Sequence, residues 1–355
     1  MRGVAALWVA GYHLLLPAGF AGAMLARLLG RGYLAVDLFF ILSGYVMALT
    51  YGQRFAGKFS PGVFAAFLRR RVARLYPIYG TILVTRLVWT ACRYRSFALP
   101  RPWIAAPLPH PWTDIPANLL LVQSWGVAPS SIGPAWSIST EWGAYCLFPL
   151  LATVMLHRSA RAAMAGTAAA VLLLGATALL LQAEGAGGKL LDAWDGRTAG
   201  PIMRCLAGFI LGLGVWRLAS WPPTAKLAAQ PWVGVLISGA LFILLIVNAP
   251  DPIVYAVFPP LVLYLACGRT GVAAALGWRT TVWLGEISYS LYLLHIFLLH
   301  PLDQARAMLR VFFLPPAADA LAALAVFAFL LAAADASYRL IERPGRRMLA
   351  RAVRI

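Results

Sequence analysis

Ten apolar runs recur along the 355-residue chain, each near the roughly 20 residues that a helix needs to cross a bilayer. They extend from Val4 to Phe20, Tyr33 to Tyr51, Leu75 to Ala91, Pro134 to Leu156, Ala162 to Leu181, Ala199 to Trp216, Pro231 to Asn248, Pro252 to Cys267, Val282 to His300 and Asp319 to Tyr338. Their continuity favours helices over a transmembrane barrel, whose apolar residues alternate within segments of about ten residues. The expected fold is an all-α polytopic membrane helix bundle of about ten transmembrane helices. Residues 1–341 are read as one membrane domain and 342–355 as a basic cytoplasmic tail. Only 12% of the residues are charged, against about 25% in a soluble domain. That balance excludes a soluble enzyme, and the 61% hydrophobic content excludes a disordered chain.

Basic residues set the expected orientation. Of the 30 Lys and Arg, 19 fall on the N-terminal side of the membrane when the runs alternate, nine on the other side and two (Arg86 and Arg204) within runs. The positive-inside rule then places both termini in the cytoplasm. The net charge of +18 is thus assigned to topology and to anionic membrane lipids, with no nucleic-acid partner expected. The first run, followed by Ala21-Gly22-Ala23, imitates a signal peptide, but Tyr12 and His13 within it and a second run directly after it favour a retained span. The longest outer loop, Cys92 to Gly133, carries Pro100, Pro102, Trp103, Pro107, Pro109, Pro111, Trp112 and Pro116. Those prolines exclude regular helix through most of it, and the aromatics suit a site cover or an interfacial loop. The four cysteines are dispersed with no CxxC pair, so no metal site or disulfide framework is expected.

Ionisable groups inside a membrane are costly and mark sites or pathways. Here they are His13, Asp37, Arg86, Glu141, Arg204, Glu286, His295, His300 and Asp335. Arg2 and His13 lie about 16 Å apart if one helix carries both. A neutral imidazole in a dry site can take a proton from a hydroxyl; it also serves simply as a packing hydrogen bonder. Asp37 opens the second run near the outer interface, where a cap or an ion pair competes with a catalytic role. Ser43 and Gly44 offer a small surface for another helix. The run Arg69, Arg70, Arg71 and Arg74 precedes Tyr76, Pro77 and Tyr79; Arg70 and Arg74 share a helix face and suit phosphates, while plain topology explains a basic run equally. Trp136, Ser137, Ser139 and Glu141 open the fourth run, with Glu141 placed to orient His13, bind an acceptor or accept a proton. No GxSxG elbow surrounds the serines. Ser288, Tyr292 and His295 fall on one face of the ninth run, as a polar seam or interhelical glue.

Together these segments resemble the acyltransferase-3 family of integral membrane O-acyltransferases. The matching stretches are Arg2-Gly3 through His13, Gly32 to Tyr45, Arg69 to Tyr79, Trp136 to Glu141, Gly285 to His295 and Ile341-Glu342-Arg343-Pro344, in the family's order and over nearly the whole chain. Family chains usually carry further residues ahead of the first arginine, where only Met1 stands here. The resemblance implies transfer of an acyl group, usually acetyl from acetyl-CoA as co-substrate, to a hydroxyl on a carbohydrate or lipid-linked glycan acceptor. It implies Arg2 and His13 as the first-helix pair essential for transfer and the arginine run as the donor-binding segment. With the residue-level reading added, His13, Asp37 and Glu141 are the expected catalytic set, and Arg2, Arg69, Arg70, Arg71, Arg74 and Tyr79 the expected donor-binding set. Trp136, Ser137 and Ser139 are then expected at the acceptor. The high Ala and Arg content points to a GC-rich bacterial genome, hence the inner membrane. Two other readings stay open on the residues alone. Gly- and Pro-interrupted runs with a basic face suit a transporter or flippase, and the Gly208-Gly212 spacing suits a helix-packing scaffold.

Overall fold

A computed structural model of the chain describes residues 1–16, 22–56, 59–95, 110–183, 185 and 189–352. Among the described residues the regular elements are all helical. In order they are α1 (Arg2–Leu14), α2 (Ala23–Gly30), α3 (Ala35–Tyr51), α4 (Pro61–Arg95), α5 (Pro111–Leu119), α6 (Trp136–Ala152), α7 (Ala160–Ala183), α8 (Gly200–Ala219) and α9 (Pro222–Ala228). Then follow α10 (Pro231–Ile246), α11 (Asp251–Ala256), α12 (Phe258–Cys267), α13 (Gly271–Ala275), α14 (Arg279–Leu294), α15 (Leu299–Leu309), α16 (Pro315–Ser337) and α17 (Arg343–Ala352). Residues 17–21 of the first run and 96–109 of the proline- and tryptophan-bearing loop lie outside the described residues.

Each apolar run contains helix, yet among the described residues five helical stretches are long and apolar enough to cross a membrane, or six when α9 and α10, bent by 66°, count as one broken span. The shortfall from ten has local causes. The helix α1 has 13 residues, and α6 has 17 before it passes into a π turn at Thr153–His157. The eighth run breaks into α11 and α12 around Val257, where Pro259 and Pro260 lack the N–H groups that would continue the ladder. The third run is part of a longer helix: α4 continues unbroken for 35 residues, takes in the whole arginine run, and carries Arg86 together with Tyr, Thr and Gly residues in its apolar part. At 1.5 Å per residue it is about 52 Å long.

Close approach of α3 and α8 makes the centre of the bundle. A Cβ at Gly44 would stand 2.0 Å from the Phe209 carbonyl oxygen, and one at Gly212 would stand 2.1 Å from the Ile41 carbonyl oxygen. The small surface at Ser43-Gly44 and the Gly208-Gly212 pair therefore meet each other, backbone against backbone. The short α1 packs between α3 and α14, and α14 in turn packs on α16. The tail folds back: Glu342 is fully buried in a second π turn, the Ser290 hydroxyl donates to it at 2.8 Å, and α17 lies against α4.

Candidate active site

The last turn of α1 carries His13 to the wall of a cavity of about 290 Å³. Tyr12, Tyr33, Trp136, Asp192, Trp194 and Tyr292 line the same cavity. Its protonation pattern follows from its neighbours. His295, fully buried just past the end of α14, has Nδ1 at 2.6 Å from the Tyr292 carbonyl oxygen. A carbonyl only accepts, so that Nδ1 holds the proton and His295 Nε2 is an acceptor. His13 Nδ1 lies 3.3 Å from that Nε2 and 3.1 Å from the Val9 carbonyl oxygen. Both neighbours accept, so His13 Nδ1 carries a hydrogen, and in the neutral ring Nε2 carries the lone pair. Nε2 has no partner among the described residues. The ring is thus held as a neutral base whose free nitrogen serves the cavity.

The walls of the chamber are pinned from behind. The Tyr292 hydroxyl lies 3.1 Å from the Pro134 carbonyl oxygen, to which it donates, and 2.9 Å from the Ser137 hydroxyl. Arg204 and Asp37, neither with any side-chain exposure, form a two-pronged ion pair at 2.8 and 2.7 Å. Arg204 also donates to the Tyr33 carbonyl at 2.9 Å and the Ala193 carbonyl at 3.3 Å, and its guanidinium stands 5.4 Å from the Trp136 ring centre. This one side chain therefore joins α3, α8 and the loop before α8 beneath the Trp136 wall.

The opposite end of α1 is cationic. Arg2, Arg74 and Arg346 lie within electrostatic range of one another, with Glu141 and Tyr145 close by. Burial leaves Nε of both Arg2 and Arg346 without a hydrogen-bond partner. Arg71 is buried, donates to the Tyr51 hydroxyl at 2.7 Å and stacks at 5.8 Å from the Tyr145 ring centre. Glu141 accepts from the Ser43 and Tyr145 hydroxyls, both at 2.5 Å. Arg346 pairs with Glu342.

The expected site residues fall into three groups. His13 and Trp136 line the cavity, with Ser137 directly behind through Tyr292. Arg2, Arg71 and Arg74 gather at the cationic end together with Glu141. Glu141 makes no hydrogen bond to His13; that position belongs to His295. The remaining residues lie apart from both. Asp37 has both carboxylate oxygens on Arg204 and does not line the cavity, so its position is that of an ion-pair partner. Tyr79 is fully buried and donates to the Asn118 carbonyl at 2.6 Å, fastening α4 to α5. Ser139, also fully buried, donates to the Leu121 carbonyl at 2.9 Å and accepts from the Ser124 N–H at 3.2 Å. Arg69 is exposed and Arg70 partly so. In α4 it is Arg71, three residues from Arg74, that shares the inward side, rather than Arg70 at four. Sequence reasoning read His295 as part of a polar seam or interhelical glue and left Arg346, Asp192 and Trp194 without a role. The single-face spacing of Tyr292 and His295 was the signal for the first; the others come from separate loops or the tail.

The family model described as an acyltransferase domain, that of the acyltransferase-3 family, matches residues 1–338. The chain belongs to this family, and it is an integral membrane protein. Similar proteins include acyltransferase MdmB of Streptomyces mycarofaciens, 28% identical over 84% of this chain and 77% of that protein. Protein 2 in the picA locus of Rhizobium radiobacter is 41% identical over 29% of this chain and 48% of its own length. O-acetyltransferase OatA of Staphylococcus aureus is 26% identical over 56% of this chain and 32% of its own length. The chain thus spans less than half of the last two. No solved structure matches the chain.

Proposed function

We propose that the protein is a membrane-bound O-acyltransferase that moves an acetyl group from acetyl-CoA to a hydroxyl of a carbohydrate or lipid-linked glycan. The observation that carries this reading is α1 itself: one helix of 13 residues begins in an arginine cluster and ends on a neutral histidine in an aromatic chamber. The cluster suits the phosphates of a nucleotide-bearing donor. The chamber offers aromatic faces to the apolar side of a sugar and the Asp192 carboxylate to its hydroxyls. On this reading the chain makes ten spans in a bacterial inner membrane with both termini cytoplasmic, so Arg2, Arg74 and Arg346 meet cytoplasmic donor and the chamber opens outward.

Transfer then follows from the tautomer. The acceptor hydroxyl donates to His13 Nε2, and its oxygen attacks the thioester carbonyl as the proton moves to the ring. Collapse breaks the carbon–sulfur bond, forms the ester and releases the thiolate, which takes the proton back as the free thiol. While the ring is charged, its Nδ1–H is held by His295 Nε2 and the Val9 carbonyl. Two acceptors on one proton steady both orientation and charge, the role the third member plays in a catalytic triad.

The test uses inside-out vesicles with radiolabelled acetyl-CoA, comparing the protein with its His13→Ala form. Label is expected in a glycan or lipid fraction, falling about 10²–10⁴-fold without His13. Label that stays on CoA across a panel of hydroxyl acceptors overturns the reading in favour of a transporter.

A further inference from the structure

A second cavity adjoins the His13 chamber. It measures about 480 Å³ and is bounded by α2, the end of α10 and the loop before α8. Three of its lining residues, Arg27, Arg31 and Lys189, are basic, and none is acidic. Lys189 lines this second cavity and touches the wall of the first: its ammonium donates to the Tyr12 hydroxyl at 2.7 Å and stands 5.2 and 5.5 Å from the ring centres of Tyr12 and Tyr33, which line the chamber. The partition between the cavities is therefore about one side chain thick.

The three cations differ in how far they are already neutralised. Arg31 is buried and fixed by Asp251 and the Tyr33 hydroxyl. Lys189 has Asp192 at 3.7 Å. Arg27 donates to the Ile246 carbonyl at 2.9 Å and makes no ion pair among the described residues. A carbonyl orients a guanidinium without cancelling its charge, so Arg27 is presented to the cavity as a fixed cation with donors to spare. With Arg31 paired to Asp251 and Lys189 beside Asp192, Arg27 is the cation at this recess that no acid offsets among the described residues; a surplus positive charge favours an anion, and a planar guanidinium favours the oxygens of phosphate.

We propose that this basic cavity binds a phosphate group, and that the acceptor is a phosphorylated saccharide whose phosphate sits against Arg27 and Lys189 while its sugar occupies the His13 chamber. This rests on the acyltransferase reading and narrows its acceptor to an anionic one. The same phosphate chemistry is also offered by an anionic phospholipid headgroup, and the experiment separates the two sources.

The test measures binding rather than transfer, on the purified full chain in nonionic detergent, with glucose 1-phosphate and glucose as probes. Glucose 1-phosphate is expected to bind and glucose to bind far more weakly. Arg27→Gln should weaken the phosphate ester roughly tenfold, as expected on losing a charge-assisted hydrogen bond. Arg27→Lys should restore much of the loss, which a purely structural role for Arg27 would not predict. If vesicles of phosphatidylglycerol, but not of phosphatidylcholine, displace glucose 1-phosphate in the wild type and not in Arg27→Gln, the cavity is a phosphate site but its occupant is lipid, and the acceptor assignment falls. Equal binding of glucose and glucose 1-phosphate, or an Arg27→Gln Lys189→Gln protein that binds the ester unchanged, overturns the site altogether. Neither failure touches the acyltransferase reading, which stands or falls on His13-dependent label.

Discussion

The two ends of α1 solve opposite electrostatic problems. At the His13 end the functional ring is neutral, and it is organised by groups that carry no charge: a carbonyl, a second imidazole and a tyrosine–serine pair. The ion pair that supports this end, Arg204 with Asp37, lies behind the wall and cancels itself. At the Arg2 end several guanidinium groups crowd together, with Glu141 and Glu342 as the acids nearby. Like charges held close in a partly buried site raise the energy of the empty state and lower it when an anion arrives. On the proposed reading one end keeps a base uncharged and the other receives negative charge. Substitutions at the two ends should therefore fail in different ways.

The largest effect is expected where the chamber wall is anchored. Asp37→Ala leaves Arg204 buried and unpaired, which should cost about 3–5 kcal/mol of stability and be read in detergent as a lowered unfolding midpoint. Asp37→Ala protein that unfolds like wild type but has lost transfer would return Asp37 to the chemistry.

His295→Ala comes next. Removing the acceptor for His13 Nδ1–H leaves the base in place but loosens its orientation, and a loss of about 10–100-fold is expected, the size seen for partners that orient metal-bound imidazoles. The loss should appear in kcat with little change in KM for acyl-CoA, since the proposed mechanism sets the donor's phosphates at the far end of the helix. His295→Gln, which keeps an acceptor near that point, should recover part of it. A change confined to KM would show that the two ends are not separable.

These contrasts also mark what the sequence reveals. Arg2 and His13 were legible because one short helix carries both, and the glycines of α3 and α8 because spacing alone makes a small face. The partners of those residues were not. His13 and His295 are 282 residues apart, and Asp37 and Arg204 are 167 apart. No periodicity links them, so the sequence does not show that Asp37 meets Arg204, or that His295 rather than Glu141 meets His13. Tyr79 and Ser139 misled for a related reason: a polar group in an apolar run signals a site, but a buried backbone carbonyl needs a donor just as much. Proline carries the remaining difference. It was read as an interruption within long runs, yet Pro77 lies inside unbroken α4 while Pro259 and Pro260 accompany a true break.

The smallest effects distinguish one face of α4 from another. Arg74→Gln removes a cation from the cluster with Arg2 and Arg346, and should raise KM for acyl-CoA roughly tenfold while kcat changes little. Added salt should narrow the gap between wild type and variant, because screening weakens the partly exposed part of the attraction. Arg69→Gln makes the matched control. Arg69 is five residues earlier and exposed, and the helix turns it away from the cluster. Its charge meets the donor only through water, where a pair of unit charges is worth about 1 kcal/mol even at 4 Å. The expected change in KM is below twofold. If Arg69→Gln and Arg74→Gln weaken the donor equally, the cationic end acts as a diffuse basic surface. If only Arg74→Gln does, it is a site with a shape, set by which side of one long helix faces the first turn of α1.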